Sequence, residues 1–117
     1  MWSDEPEGQQ ANDEQTLRYG PLAVDVAGFS VTVHGRDVRL TLGEFMLLVE
    51  LARQPYKVLD RQLLAAVMKE RGIASETDQP SARSIDVVIH RLRGWLRKAG
   101  YDPIETMRFV GYRFVPK

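Results

Sequence analysis

The stretch from Ala82 to Ala99 constrains this chain more than any other, because it can only be an amphipathic helix with a body beneath it. Turned at about 100° per residue, Ile85, Ile89, Leu92, Leu96 and Ala99 fall on one apolar stripe, with Val88 and Trp95 on its shoulder. Opposite lie Arg83, Asp86, Val87, His90, Arg91, Gly94, Arg97 and Lys98, with Arg93 on the flank. Gly100 supplies the left-handed residue on which such helices end. A stripe of this kind must be buried against something, and burying it turns the cationic side outward.

The rest of the chain supplies that body. Thr41-Leu42-Gly43-Glu44 fits a capping box, and Phe45, Leu48, Val49 and Ala52 follow at helical spacing until Pro55. A first helix over about 43–54 is therefore expected. Asp60 is a good N-cap for a second helix carrying Leu63, Leu64, Val67 and Met68 and ending at Gly72, with a polar loop following to residue 81. Before these helices, Leu22 to Val26 and Phe29 to Val33 read as strands around a turn at Ala27-Gly28. His34 to Asp37 reads as a second turn and Val38 to Leu40 as a third short strand. After the long helix, residues 104–107 and 112–115 flank Arg108-Phe109-Val110-Gly111 and read as a two-stranded hairpin. Residues 1–17 are polar and acidic, so they are expected to form a disordered tail or interdomain linker, with residues 18–117 as the folded domain.

Composition narrows the classes of function. With 117 residues, 44% of them apolar, the chain is long enough for one core. It has no cysteine, which excludes a disulfide framework, a thiolate metal site and a cysteine nucleophile, and suits a reducing cytoplasm. The longest apolar run, Phe45 to Ala52, is interrupted by Glu50 and is too short for a bilayer; the first residues lack the pattern of a signal peptide. The two histidines, His34 and His90, stand in no triad or metal-ligand pattern, and no phosphate-cradling glycine motif is present. No enzyme and no cofactor are expected. The formal net charge of zero conceals a polar distribution: residues 1–30 carry six acids and one base, whereas residues 83–117 carry eight bases and three acids.

Short strands, three helices and a closing hairpin make an α+β fold on the plan of a winged helix-turn-helix. The major groove of B-DNA, about 12 Å wide, admits one helix. Arg91 and Arg93 have the forked donors that match guanine edges and phosphates. Val87, apolar within a polar face, suits a thymine methyl; a chance exposed valine is the plainer reading. His90 is either a phosphate neighbour or a solvated helix residue. Gly94 costs about 1 kcal/mol of helix stability relative to alanine, and its missing side chain serves either a close approach to DNA or tight packing elsewhere. On the hairpin, Arg108 is placed to enter a minor groove, and Thr106 is either a phosphate donor or an ordinary strand residue. Phe109 either folds under the hairpin or lies against a sugar edge.

Three stretches give the chain a family resemblance: Leu40-Thr41-Leu42-Gly43-Glu44-Phe45-Met46-Leu47-Leu48, Arg83-Ser84-Ile85-Asp86-Val87-Val88-Ile89-His90-Arg91-Leu92-Arg93, and Glu105-Thr106-Met107-Arg108-Phe109-Val110-Gly111-Tyr112-Arg113-Phe114. In that order and at those separations they resemble the OmpR/PhoB family of response-regulator effector domains, from about Tyr19 to Phe114. The resemblance implies an N-terminal four-stranded sheet, a three-helix core and a C-terminal wing. It implies double-stranded promoter DNA as the partner, commonly bound as tandem dimers on direct repeats. It also implies contact with RNA polymerase through the loop at 72–81. The candidate DNA-binding residues become Arg83, Ser84, Val87, His90, Arg91, Arg93 and Arg97 on the helix, with Thr106 and Arg108 on the wing. Three positions depart from the family pattern. Val88 replaces a phosphate-touching histidine, Gly94-Trp95 replaces a basic pair, and Phe109 replaces the first glycine of the wing's Arg-Gly-x-Gly-Tyr. No receiver-domain sequence is present, so the chain is expected to be either an excised effector domain or a stand-alone regulator.

The competing reading is a winged-helix module that binds protein and not DNA. The DNA reading requires Arg91 and Arg93 to project outward, neither buried nor locked against acids of their own chain.

Overall fold

The computed structural model describes residues 16–70 and 82–117. For residues 82–84 that description extends to the backbone alone. The element order is β1 (Thr16–Tyr19), β2 (Leu22–Asp25), β3 (Ser30–Val33), β4 (Arg36–Asp37), α1 (Leu42–Arg53), β5 (Leu59–Asp60), α2 (Arg61–Glu70), α3 (Ala82–Ala99), β6 (Ile104–Met107) and β7 (Gly111–Phe114). The first four strands form one antiparallel sheet in chain order, and the last three form a second in the order β5-β7-β6.

The helices lie where the sequence places them, for the reasons given. Thr41 Oγ1 accepts from the Glu44 amide at 3.2 Å, and the Glu44 carboxylate accepts from the Thr41 amide at 2.9 Å, so both halves of the capping box are made. Glu44 is buried, and the cap gives its carboxylate a partner there. Asp60 accepts from the Leu63 amide at 2.7 Å and starts α2. The end of α2 expected at Gly72 and the loop beyond it lie outside the described residues. On α3, Ile85, Ile89, Leu92 and Leu96 are all buried, packed with α1 and α2. Gly100, at φ +104°, closes α3: its amide donates to Arg97 O, and the next amide, of Tyr101, reaches back to Leu96 O, each at 3.0 Å.

The sheets depart from the sequence reading in three places. Thr16 and Leu17, assigned to the tail, belong to strand β1, which pairs Thr16 with Asp25 and Tyr19 with Leu22. Only two of its four residues are apolar, so local pattern could not reveal it. Its place is held by Tyr19, whose hydroxyl donates to Ala52 O at 2.8 Å and whose ring lies 4.8 Å from that of Phe114. The turn after β3 is confined to His34-Gly35, and Arg36–Asp37 are a strand rather than part of it. Val38 to Leu40 is an irregular approach to α1 and no strand, although Val38 still donates to Val31 O at 2.9 Å.

The third difference is at the C-terminus, where the expected two-stranded hairpin is joined by β5 through Leu59↔Tyr112 and Asp60↔Gly111. Two residues carry no periodicity, so β5 is legible only once β7 lies beside it. Gly111 makes this junction possible. A Cβ at that position would overlap the Leu59 carbonyl oxygen and stand 2.7 Å from Asp60 Cα, both backbone atoms with nowhere to go. Gly111→Ala is therefore expected to lower folding stability by about 1–3 kcal/mol or more, measured by urea denaturation. Parent-like stability would show that the two segments are not tightly joined.

Candidate nucleic-acid interface

Burial of the apolar stripe turns a line of α3 residues to solvent. Val87 is 49% exposed, and His90, Arg91, Gly94 and Lys98 share its face at helical spacing. Arg91 has no ion-pair partner among the described residues. Among the described residues, a side chain added at Gly94 would meet nothing within 4 Å, so tight packing against them is not why a glycine stands there. Val88 is half-buried against the core, and Trp95 is 45% exposed with the Lys98 ammonium 5.7 Å from its ring centre. The backbone of Arg83 and Ser84 lies in the first turn of α3; their side chains are outside the description.

Arg93 corrects the sequence reading, which required Arg91 and Arg93 both to be free. Among the described residues Arg91 meets that condition and Arg93 does not, so the outward cationic face of α3 rests on Arg91 without it. The Arg93 guanidinium does not project outward but is locked against an acid of its own chain: Nε donates to Asp102 Oδ2 at 3.0 Å and Nη1 to Thr106 Oγ1 at 2.8 Å. Arg97 Nε donates to the same Asp102 oxygen at 2.9 Å while most of its side chain stays in solvent. The Asp102 side chain is only 10% exposed, and its second oxygen accepts from the Ile104 amide at 3.1 Å. Three donors thus compensate one nearly buried carboxylate, at the point where the chain leaves α3 and enters β6. Thr106 accepts from Arg93, which leaves its hydroxyl hydrogen free to donate elsewhere.

Asp86 is the second correction. The sequence places it on the outward face, but its Oδ1 accepts from Arg61 Nε and from the Tyr112 hydroxyl, each at 2.6 Å. The Arg61 guanidinium also lies 5.2 Å from the Tyr112 ring centre. One carboxylate therefore ties α2, α3 and β7 together. Burial opposes its ionisation, but the Tyr112 hydrogen bond and then the Arg61 pair outweigh that, and its pKa lies below the usual 3.8. Burial and then the hydrogen bond to Asp86 hold the Tyr112 hydroxyl protonated above its ordinary range, so it remains a donor.

Between α3 and the wing runs a cleft of about 270 Å³ lined by Asp86, His90, Arg93, Arg97, Thr106 and Tyr112. At the wing tip the Val110 amide donates to Met107 O at 2.9 Å, closing the turn. Arg108 is exposed, its guanidinium 5.4 Å from the Phe109 ring centre. Phe109 does not fold under the wing: it is 90% exposed and holds φ +67°, a backbone conformation that costs a non-glycine residue about 1–2 kcal/mol. Among the described residues there is no cluster of three or more potential metal ligands, and no helix is long and apolar enough to cross a membrane.

A three-helix body that exposes one face of its third helix beside a projecting β-hairpin defines the winged helix-turn-helix class. Residues 35–114 match the family model described as "Transcriptional regulatory protein, C terminal". The chain belongs to this family, that of the OmpR/PhoB-type effector domains, which is not an enzyme family. Transcriptional regulatory protein AfsQ1 of Streptomyces coelicolor is 35% identical over 100 residues, covering 84% of this chain and 42% of that protein. The chain thus spans about two-fifths of the curated relatives it matches. The Klebsiella pneumoniae RstA DNA-binding domain, solved in complex with the RstA box, superposes with a TM-score of 0.70 at 33% identity, covering 88% of this chain and 99% of that one. Response regulator DrrB of Thermotoga maritima, an OmpR/PhoB homologue, gives 0.73 at 29% identity, over 94% of this chain and 52% of that one.

Asp86 predicts an acid dependence. The unfolded chain takes up a proton at the ordinary value near 3.8, whereas the folded chain holds the carboxylate ionised to lower pH. Its contribution to stability is therefore complete above about pH 4–5 and disappears as the pH falls through the depressed value. Asp86→Asn should flatten this acid limb of stability, followed by thermal melts between pH 3 and 6. Parallel limbs in parent and variant would remove Asp86 as the cause.

Proposed function

We propose that this chain is the sequence-specific DNA-binding effector domain of a bacterial transcription regulator, laying α3 in the major groove and the wing at the adjacent minor groove of promoter DNA. The observation that carries the reading is the exposed line of Val87, His90 and Arg91 on α3, flanked by the exposed Arg108 at the wing tip. A helix with its apolar side buried and cations on the other side matches the groove in width and charge. The solved complex of RstA with its DNA box, a relative at 33% identity, supports it.

Roles then divide by geometry. Arg91 reads a base edge or holds a phosphate, and Val87 meets a thymine methyl. His90, Arg97 and the Thr106 hydroxyl are placed for phosphates, and Arg108 for the minor groove. Arg83 and Ser84, in the first turn of α3, would extend the same line. Arg93 acts from its pair with Asp102 as a strut between helix and wing, with a role in positioning rather than in reading a base. Tandem dimers on repeated half-sites and contact with RNA polymerase through 72–81 belong to the same reading; that loop lies outside the described residues. Of the tail or linker expected over residues 1–17, residues 1–15 also lie outside the described residues. The work is done in the cytoplasm and involves no catalysis or cofactor.

Selection of bound fragments from a random-sequence duplex pool should recover one motif, with a log–log salt slope of roughly −4. Arg91→Ala is expected to cost about 1–3 kcal/mol of binding and, if it holds a base, to relax preference at that position. Arg93→Ala should instead lower folding stability and leave base preference unchanged. Failure to enrich any motif, or binding insensitive to salt, overturns the DNA reading and favours a protein-binding module.

A further inference from the structure

We propose that Phe109 is a DNA-contacting residue of the wing, its ring packing as an apolar wedge against the deoxyribose wall of the minor groove beside Arg108. The inference rests on the DNA-binding reading above and extends it to a position where the family pattern carries glycine. Four non-glycine residues in the described chain have positive φ: Phe29, His34, Tyr56 and Phe109. Phe29, the other phenylalanine among them, uses its ring within the chain, which lies 5.5 Å from the Phe45 ring. Phe109 does not. It is 90% exposed, and the aromatic or cationic neighbour found for its ring is the Arg108 guanidinium. A strained backbone thus carries a ring that, among the described residues, packs against no core residue, and a contact outside the chain would give that ring a use.

The tip is also held in place. The Val110 amide closes the turn on Met107 O, Gly111 seats the wing against β5, and the Arg93–Thr106 hydrogen bond ties β6 to α3. A phenylalanine so fixed stays at one distance from the helix. The minor groove offers both halves of what this pair requires. Its negative potential takes the guanidinium, and its sugar walls present C–H surface to a ring; phenylalanine is among the side chains used as minor-groove wedges.

The test uses the duplex fragments enriched by the parent protein and compares Phe109→Gly with Phe109→Tyr. Glycine accepts the left-handed backbone without strain, so Phe109→Gly should raise the melting temperature while weakening binding about ten-fold, the scale of withdrawing most of a phenylalanine side chain from water. A fold defect cannot produce that opposition. Phe109→Tyr, which keeps the ring, should bind within about two-fold of the parent. Parent-like affinity in Phe109→Gly overturns the proposal and leaves the DNA reading intact; a parent that enriches no fragment removes both.

Discussion

What α3 presents to solvent is aimed by one seam, the contact of Ile85, Ile89, Leu92 and Leu96 with the core. Each side chain taken fully out of water is worth about 1.5–3 kcal/mol, so four on one stripe leave the helix little freedom to roll. Because residues follow one another at about 100°, fixing the buried side fixes the direction of Val87, His90 and Arg91. The capping box at Thr41 and Glu44 and the Asp60 cap serve the same seam, since they set where the supporting helices begin. The side chains turned to solvent are positioned by those that are buried.

Electrostatics then sorts the cations into two kinds. Arg61 and Arg93 have a structural use: each meets an acid that joins separate elements, Asp86 and Asp102. Arg91 and Arg108 remain in solvent. A nearly buried carboxylate such as Asp102 is tolerable only because Arg93, Arg97 and the Ile104 amide all donate to it. The helix and the wing are thereby coupled through Arg93, from Asp102 to Thr106, and neither can shift without breaking a charged hydrogen bond. A count of basic residues in the last third of the chain overstates the charge available to a partner, because part of it is engaged internally.

The wing shows how a local departure is accommodated. Phe109 occupies a left-handed position that glycine fills at no steric cost, yet the turn still closes and the strands on either side stay in register. Gly111 is what cannot vary in shape, since backbone from β5 occupies the space a side chain would need. Two neighbouring positions thus obey different physics, one a torsional preference and the other a collision.

The three helices, the caps at Thr41, Asp60 and Gly100, the apolar stripe, the wing and the winged plan were all legible in the amino-acid sequence. Each is written in contacts spanning a few residues: hydroxyl to third amide, i to i+4, strand to turn to strand. Tertiary structure alone decided the rest. Strands β1 and β5 exist because partners pair with them, and Val38 to Leu40 is no strand because pairing ends at Val38. Arg93 and Asp86 look like free polar residues on a helical wheel, but their partners lie 9 and 26 residues away. A helical wheel shows which way a side chain leaves its own axis, and only the packed chain shows which acid is waiting there.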